Sequence, residues 1–157
     1  IGQLVLSSVH AKDAAGSITR LLDLGVGSFL ISATVVCVLS QRMVRKVCPH
    51  CRELSTIAPE ALTAYLNETG DERTEFYVGH GCNACSQTGY LGRTAISEIM
   101  VVNHDLRSAI MNDASADEIR DVARKSGMIS MWHDGMLKAQ LGITTPSEVL
   151  RNILFTG

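Results

Sequence analysis

Four cysteines carry the clearest chemistry in this chain. They form two Cys-x-x-Cys pairs, Cys48-Pro49-His50-Cys51 and Cys82-Asn83-Ala84-Cys85, about thirty residues apart. Two intervening residues let a tight turn aim both sulfurs at one point. Four thiolates at about 2.3 Å satisfy a tetrahedral zinc ion and leave no position open for water, so such a site is structural. Gly81 and Gly89 flank the second pair, where backbone freedom helps the turn. His50 and His80 stand beside the pairs as alternative ligands, although four sulfurs already fill the shell. A dithiol redox reading is the competitor. It needs a single pair with a reactive, low-pKa thiol in a thioredoxin-like context. The fifth cysteine, Cys37, lies in an apolar run and reads as a small core residue.

The elements that must position these sulfurs follow from pattern and punctuation. Leu4 to Ser8 reads as a buried strand. Asp13 caps a helix through Ile18, Leu21 and Leu22 that Gly25 stops. Ser28 opens a longer helix through Val38 and Leu39 to about Lys46, with Arg42, Arg45 and Lys46 at its negative end. A short helix runs from Pro59 to Asn67, and Thr94 to Met100 reads as a strand. The remainder is helical. Asn103 caps one helix to about Asn112. Ser115 and Glu118 form a capping box for a second, ended by Gly127. A third runs from about Met131 to Leu141. Thr145 and Glu148 form another box, with Pro146 at the first helical position. Trp132 and its neighbours Met128, Met131 and Met136 read as core or as an inter-subunit contact. Strand, turn and helices followed by a cysteine module and more helices make a mainly helical α/β chain.

Composition narrows the function classes. The 157 residues are 46% apolar, 19% charged and only 4% aromatic, so a core of aliphatic side chains is affordable in sequence terms. The net charge of −2 argues against a nucleic-acid binder. The alternative is a stand-alone zinc-ribbon module that binds protein or nucleic acid; between the pairs, Glu53, Glu60, Glu68, Asp71, Glu72 and Glu75 stand against only Arg52 and Arg73, a balance that repels phosphate. The longest apolar run, Phe29 to Leu39, is about half of a bilayer span and reads as a buried helix. Five cysteines without a signal peptide point to a reducing compartment. The opening Ile1-Gly2-Gln3-Leu4 already has strand character, which is expected of a piece cut from a larger protein.

Several segments resemble one family. Gly2-Gln3-Leu4-Val5-Leu6-Ser7-Ser8-Val9-His10-Ala11 is similar to the histidine-box segment of secretion ATPases. Asp13-Ala14-Ala15, Thr19-Arg20-Leu21 and Gln41-Arg42-Met43-Val44-Arg45 fit the same likeness. So do both cysteine pairs and Gly89-Tyr90-Leu91-Gly92-Arg93-Thr94-Ala95-Ile96. The whole chain resembles the C-terminal part of the type II secretion and type IV pilus assembly ATPases, the extension type that carries a tetracysteine module.

The resemblance implies three consecutive parts. Residues 1–46 would end a RecA-like P-loop ATPase core, residues 47–100 would be the zinc module, and residues 101–157 a helical C-terminal subdomain. It implies a hexameric motor on the cytoplasmic face of the inner membrane, using ATP and magnesium in the full-length protein. That motor would work with an inner-membrane platform protein and a membrane-recruiting subunit, and without nucleic acid. His10 matches the second histidine of the box, a sensor near the γ-phosphate. Gln3 stands where the box has its first histidine, and Arg20 is a candidate nucleotide contact. The chain contains no Gly-x-x-x-x-Gly-Lys-Ser/Thr loop, so this piece alone is expected not to hydrolyse ATP.

Overall fold

The computed structural model describes residues 2–154. It is a mixed α/β chain with seven helices and two two-stranded sheets among those residues. The chain packs as two compact units, each built from two stretches: residues 1–40 with 98–128, and residues 41–97 with 129–157.

In the first unit, Asp13 caps α1 (Ala14–Asp23) by accepting from the Gly16 N–H at 2.7 Å. Arg120 holds that cap with a forked contact to Oδ2 of Asp13, at 2.7 and 3.1 Å. The Ala14 N–H is taken by the buried carboxylate of Glu98 at 2.7 Å. Helix α2 (Ser28–Thr34) is short. The longer helix expected to about Lys46 ends at Thr34 and gives way to a strand, β1 (Cys37–Val47). The cause is local: Thr34, Val35, Val36 and Val38 crowd a helix at Cβ and suit a pleated strand. Val35 is already extended, and the Val36 carbonyl accepts from Val102 at 2.9 Å. Arg42, Arg45 and Lys46 therefore lie on a strand and answer no helix dipole. Cys37 is exposed, not in the core.

The Leu4–Ser8 strand does not form. Residues 2–11 carry no regular structure, and Leu4, Val5 and Leu6 are 81%, 79% and 89% exposed. A strand exists through a neighbour that pairs its N–H and C=O groups. Among the described residues no strand pairs with this segment.

The rest of the first unit follows its capping signals. Asn103 caps α4 (His104–Met111), and Ser115 with Glu118 closes a full capping box on α5 (Ala116–Lys125). Ile18, Ile31, Met100, Leu106, Ile110 and Ile119 make its core.

The second unit is centred on Tyr65, Phe76, Val44, Ile96, Met136 and Val149. Helix α3 (Pro59–Thr69) ends on Gly70 in the left-handed conformation, φ 68°. Tyr65 meets Phe76 edge-on at 4.7 Å and donates to Asp71 at 2.6 Å. Strands β2 (Arg52–Thr56) and β3 (Glu75–Gly79) pair antiparallel, with Leu54 opposite Tyr77. Strand β4 (Tyr90–Val101) starts here and pairs with β1. Helices α6 (Met131–Gln140) and α7 (Pro146–Leu154) complete the unit. Met131 and Met136 are core, and Trp132 packs against it.

Half of the second capping box is replaced. Thr145 Oγ1 accepts from the Glu148 N–H at 3.1 Å, while the Glu148 carboxylate takes the Arg45 guanidinium at 2.7 Å.

Candidate metal centre

Both cysteine pairs sit at strand ends of the second unit. Strand β1 delivers Cys48, whose N–H donates to the Gly89 carbonyl at 2.9 Å. Cys51 leads directly into β2. From the end of β3, the His80 N–H donates to the Cys51 carbonyl at 3.1 Å, and the Gly81 N–H to Cys51 Sγ at 3.3 Å. The second pair closes around a single 3₁₀ turn, Asn83–Cys85. Its chain then doubles back through Ser86 and Gln87, both left-handed at φ 51° and 63°. That conformation is disfavoured for side chains with a Cβ. Here it brings the Gln87 N–H onto the Cys82 carbonyl at 2.9 Å and the Gly89 N–H onto Cys85 Sγ at 3.3 Å.

The four sulfurs converge within 4.8 Å of one another. Individual edges are 3.8 Å from Cys48 to Cys82, 3.9 Å from Cys51 to Cys85 and 3.7 Å from Cys82 to Cys85. Sulfurs each about 2.3 Å from a tetrahedral zinc ion would stand about 3.8 Å apart. The donor set therefore fits a tetrathiolate ion, and the residues that could hold it are Cys48, Cys51, Cys82 and Cys85. Cys48 and Cys85 are buried, Cys51 and Cys82 half-buried. His50 is exposed, and His80 Nε2 lies 3.8 Å from Glu53, so neither histidine joins the cluster.

The thiols are electrostatically unequal without metal. Burial pushes the Cys51 thiol up to about 12, reinforced by the three neighbouring sulfurs and opposed only by the Gly81 N–H. Burial also raises Cys85, but the N–H groups of Cys82 and Gly89, with the Cys82 and Cys51 thiols, outweigh it and leave Cys85 lowered to about 6.

The other sequence-predicted site residues belong to the first unit. Gln3 and His10 are exposed on the irregular segment before α1, and Arg20 is exposed in the last turn of that helix. The sequence reading missed the Arg45–Glu148 pair. The Glu148 side chain is 1% exposed, accepts from Arg45 N and Nη2 at 3.1 and 2.7 Å, and is joined by Arg151. Arg45 also stacks on Tyr90 at 4.1 Å. Nothing in the local pattern marks a pairing across a hundred residues.

A model of the family described as Type II/IV secretion system protein matches residues 1–151. The chain belongs to this family. Among curated relatives, it is 47% identical over 150 residues to a type IV pilus assembly ATPase PilB of Thermus thermophilus, covering 95% of this chain and 17% of that protein. It is 44% identical over 151 residues to type II secretion system protein E of Xanthomonas campestris, covering 96% and 27%. The type IV pilus assembly ATPase TfpB of Acinetobacter baylyi is 39% identical over 156 residues, covering 99% and 27%. The chain thus spans less than a third of the length of these secretion-family relatives. No described helix is long and apolar enough to cross a membrane.

Proposed function

We propose that this chain is the C-terminal piece of an ATPase that powers pseudopilin or pilin assembly in type II secretion or type IV pilus biogenesis. The observation that carries the reading is identity of 39–47%, over nearly the whole chain, to proteins named for those two machines. In this reading the parent is a hexamer at the cytoplasmic face of the inner membrane. It meets a platform protein and a membrane-recruiting subunit there.

The four cysteines hold a structural zinc ion, in keeping with sulfur spacings of 3.7 to 3.9 Å. The ion supplies no reaction chemistry. It fixes the ends of β1, β2, β3 and β4 where little core is available to do so.

Residues 1–46 are read as the tail of a RecA-like core, 47–100 as the zinc module and 101–157 as the helical subdomain. An open apolar face supports a place within a larger domain. The β1–β4 ribbon turns Val38 and Met100 toward the first unit's core, yet leaves Leu39, Ile99 and Val101 at 57%, 54% and 61% exposure, with Cys37 also exposed. A solvated sheet face is normally polar. This one suits further layers of a larger domain. His10 and Gln3 would then border the nucleotide, with Arg20 within reach of it, only in the assembled parent.

The chain lacks the phosphate-cradling loop and should be inert by itself. The test is magnesium-dependent phosphate release from ATP by the 157-residue chain and by its full-length parent. Turnover by the parent alone is expected. Turnover by the short chain would refute the assignment.

A further inference from the structure

Gly79 and Gly89 cross with no room between their backbones. A Cβ built on Gly79 would lie 2.0 Å from the Gly89 carbonyl oxygen and 2.7 Å from its Cα. A Cβ on Gly89 would lie 2.3 Å from the Gly79 oxygen. Both obstacles are main chain, so no side chain can swing aside. Gly89 has φ 75°, which by itself favours glycine, but Gly79 is not at a positive φ. Backbone conformation therefore does not require glycine at 79. The close approach does.

The crossing reaches three of the four cysteines through backbone groups. On one side, Gly89 accepts from Cys48 N–H at 2.9 Å and donates to Cys85 Sγ at 3.3 Å. On the other, the two residues after Gly79 hold Cys51: His80 through its carbonyl at 3.1 Å and Gly81 through its sulfur at 3.3 Å. We propose that Gly79 is a positioning residue of the metal centre, setting the first cysteine pair in register with the second. The inference rests on the zinc reading above. Its logic is that of outer-shell groups, which orient ligands and whose loss lowers metal affinity by about 10- to 100-fold.

The test uses the whole chain loaded with zinc or with cobalt(II), whose absorption reports ligand geometry. Gly79→Ala is expected to release zinc to a chelator about ten-fold faster or more, and to alter the cobalt ligand-field bands. Gly135→Ala is the control. Its Cβ would meet Val149 Cγ1 at 2.6 Å in the same unit, and its three nearest atoms are side-chain carbons of Val149 and Ile96. It should lower Tm while keeping the wild-type cobalt spectrum and release rate. Wild-type behaviour in Gly79→Ala, or an equal change in Gly135→Ala, overturns the proposal. If Gly79→Ala does not fold, hydrogen exchange on the zinc-loaded wild type decides. The Cys48 and Gly89 amides should exchange no faster than zinc leaves. Faster exchange with zinc retained would overturn the inference. A wild-type chain that takes up no cobalt would instead remove the zinc reading beneath it.

Discussion

The cysteine pairs and the Leu4–Ser8 segment are equally emphatic as sequence patterns, and they meet opposite fates. The pairs find one another inside the second unit and bury two of their four sulfurs. Among the described residues the apolar segment pairs with no strand, and it stays exposed. The lesson concerns where a pattern's partners lie. A metal site closes through short turns and N–H···S contacts within its own stretch of chain. A strand is completed only by its neighbours, and an apolar strand face only by another layer.

The largest expected effect sharpens that contrast. Cys82→Ser, or zinc removal by a chelator, should loosen the second unit by several kcal/mol, since structural zinc contributes about 10 kcal/mol or more to small domains. Amide exchange should rise around Tyr65 and Phe76 but much less around Ile18 and Ile119. Equal loosening of both clusters would break the comparison.

Next in size is Phe76→Ala, which empties the second core and should cost about 3–5 kcal/mol by denaturant unfolding. A loss below about 1 kcal/mol would mean that the core does not depend on this ring.

A smaller effect is expected at the buried ion pair. Burial opposes ionisation of Glu148, but the Arg45 guanidinium and N–H, with Arg151, outweigh it and hold the carboxyl below its ordinary 4.5. The folded value lies below the unfolded one. Its contribution is therefore complete above about pH 4.5 and disappears as acid carries the pH through the lower folded value. Glu148→Gln should cost about 2 kcal/mol at neutral pH, the half-exposed Arg45 tempering the loss, and should flatten the acid side of the stability curve. An unchanged acid limb would exclude this pair as a source of the pH dependence.

These expectations also show what was legible from the sequence. Caps were, because Asp13, Asn103 and Ser115 act on amides three residues away. The cysteine cluster was, because thiol spacing is itself the geometry. The helix expected through Val38 and Leu39 was not, because apolar content there outweighed the β-branched run that turns it into β1. The role of Arg45 was not, because its partner Glu148 lies a hundred residues on. Gly79 escaped notice because it sits at no turn, and only its contact with Gly89 shows why a side chain is excluded.

The smallest effect tests the open face. Leu39→Gln should change the stability of this chain by no more than about 0.5 kcal/mol, as at an ordinary exposed site. In the longer parent the same change should be clearly destabilising. Equal, small effects in both would mean that nothing covers this face.

The metal content of the natively purified chain bears most directly on the account. Elemental analysis should find one zinc per chain, with no thiol reactive except Cys37 until a chelator is added. A folded chain that carries no metal and offers all five thiols to an alkylating reagent would contradict it.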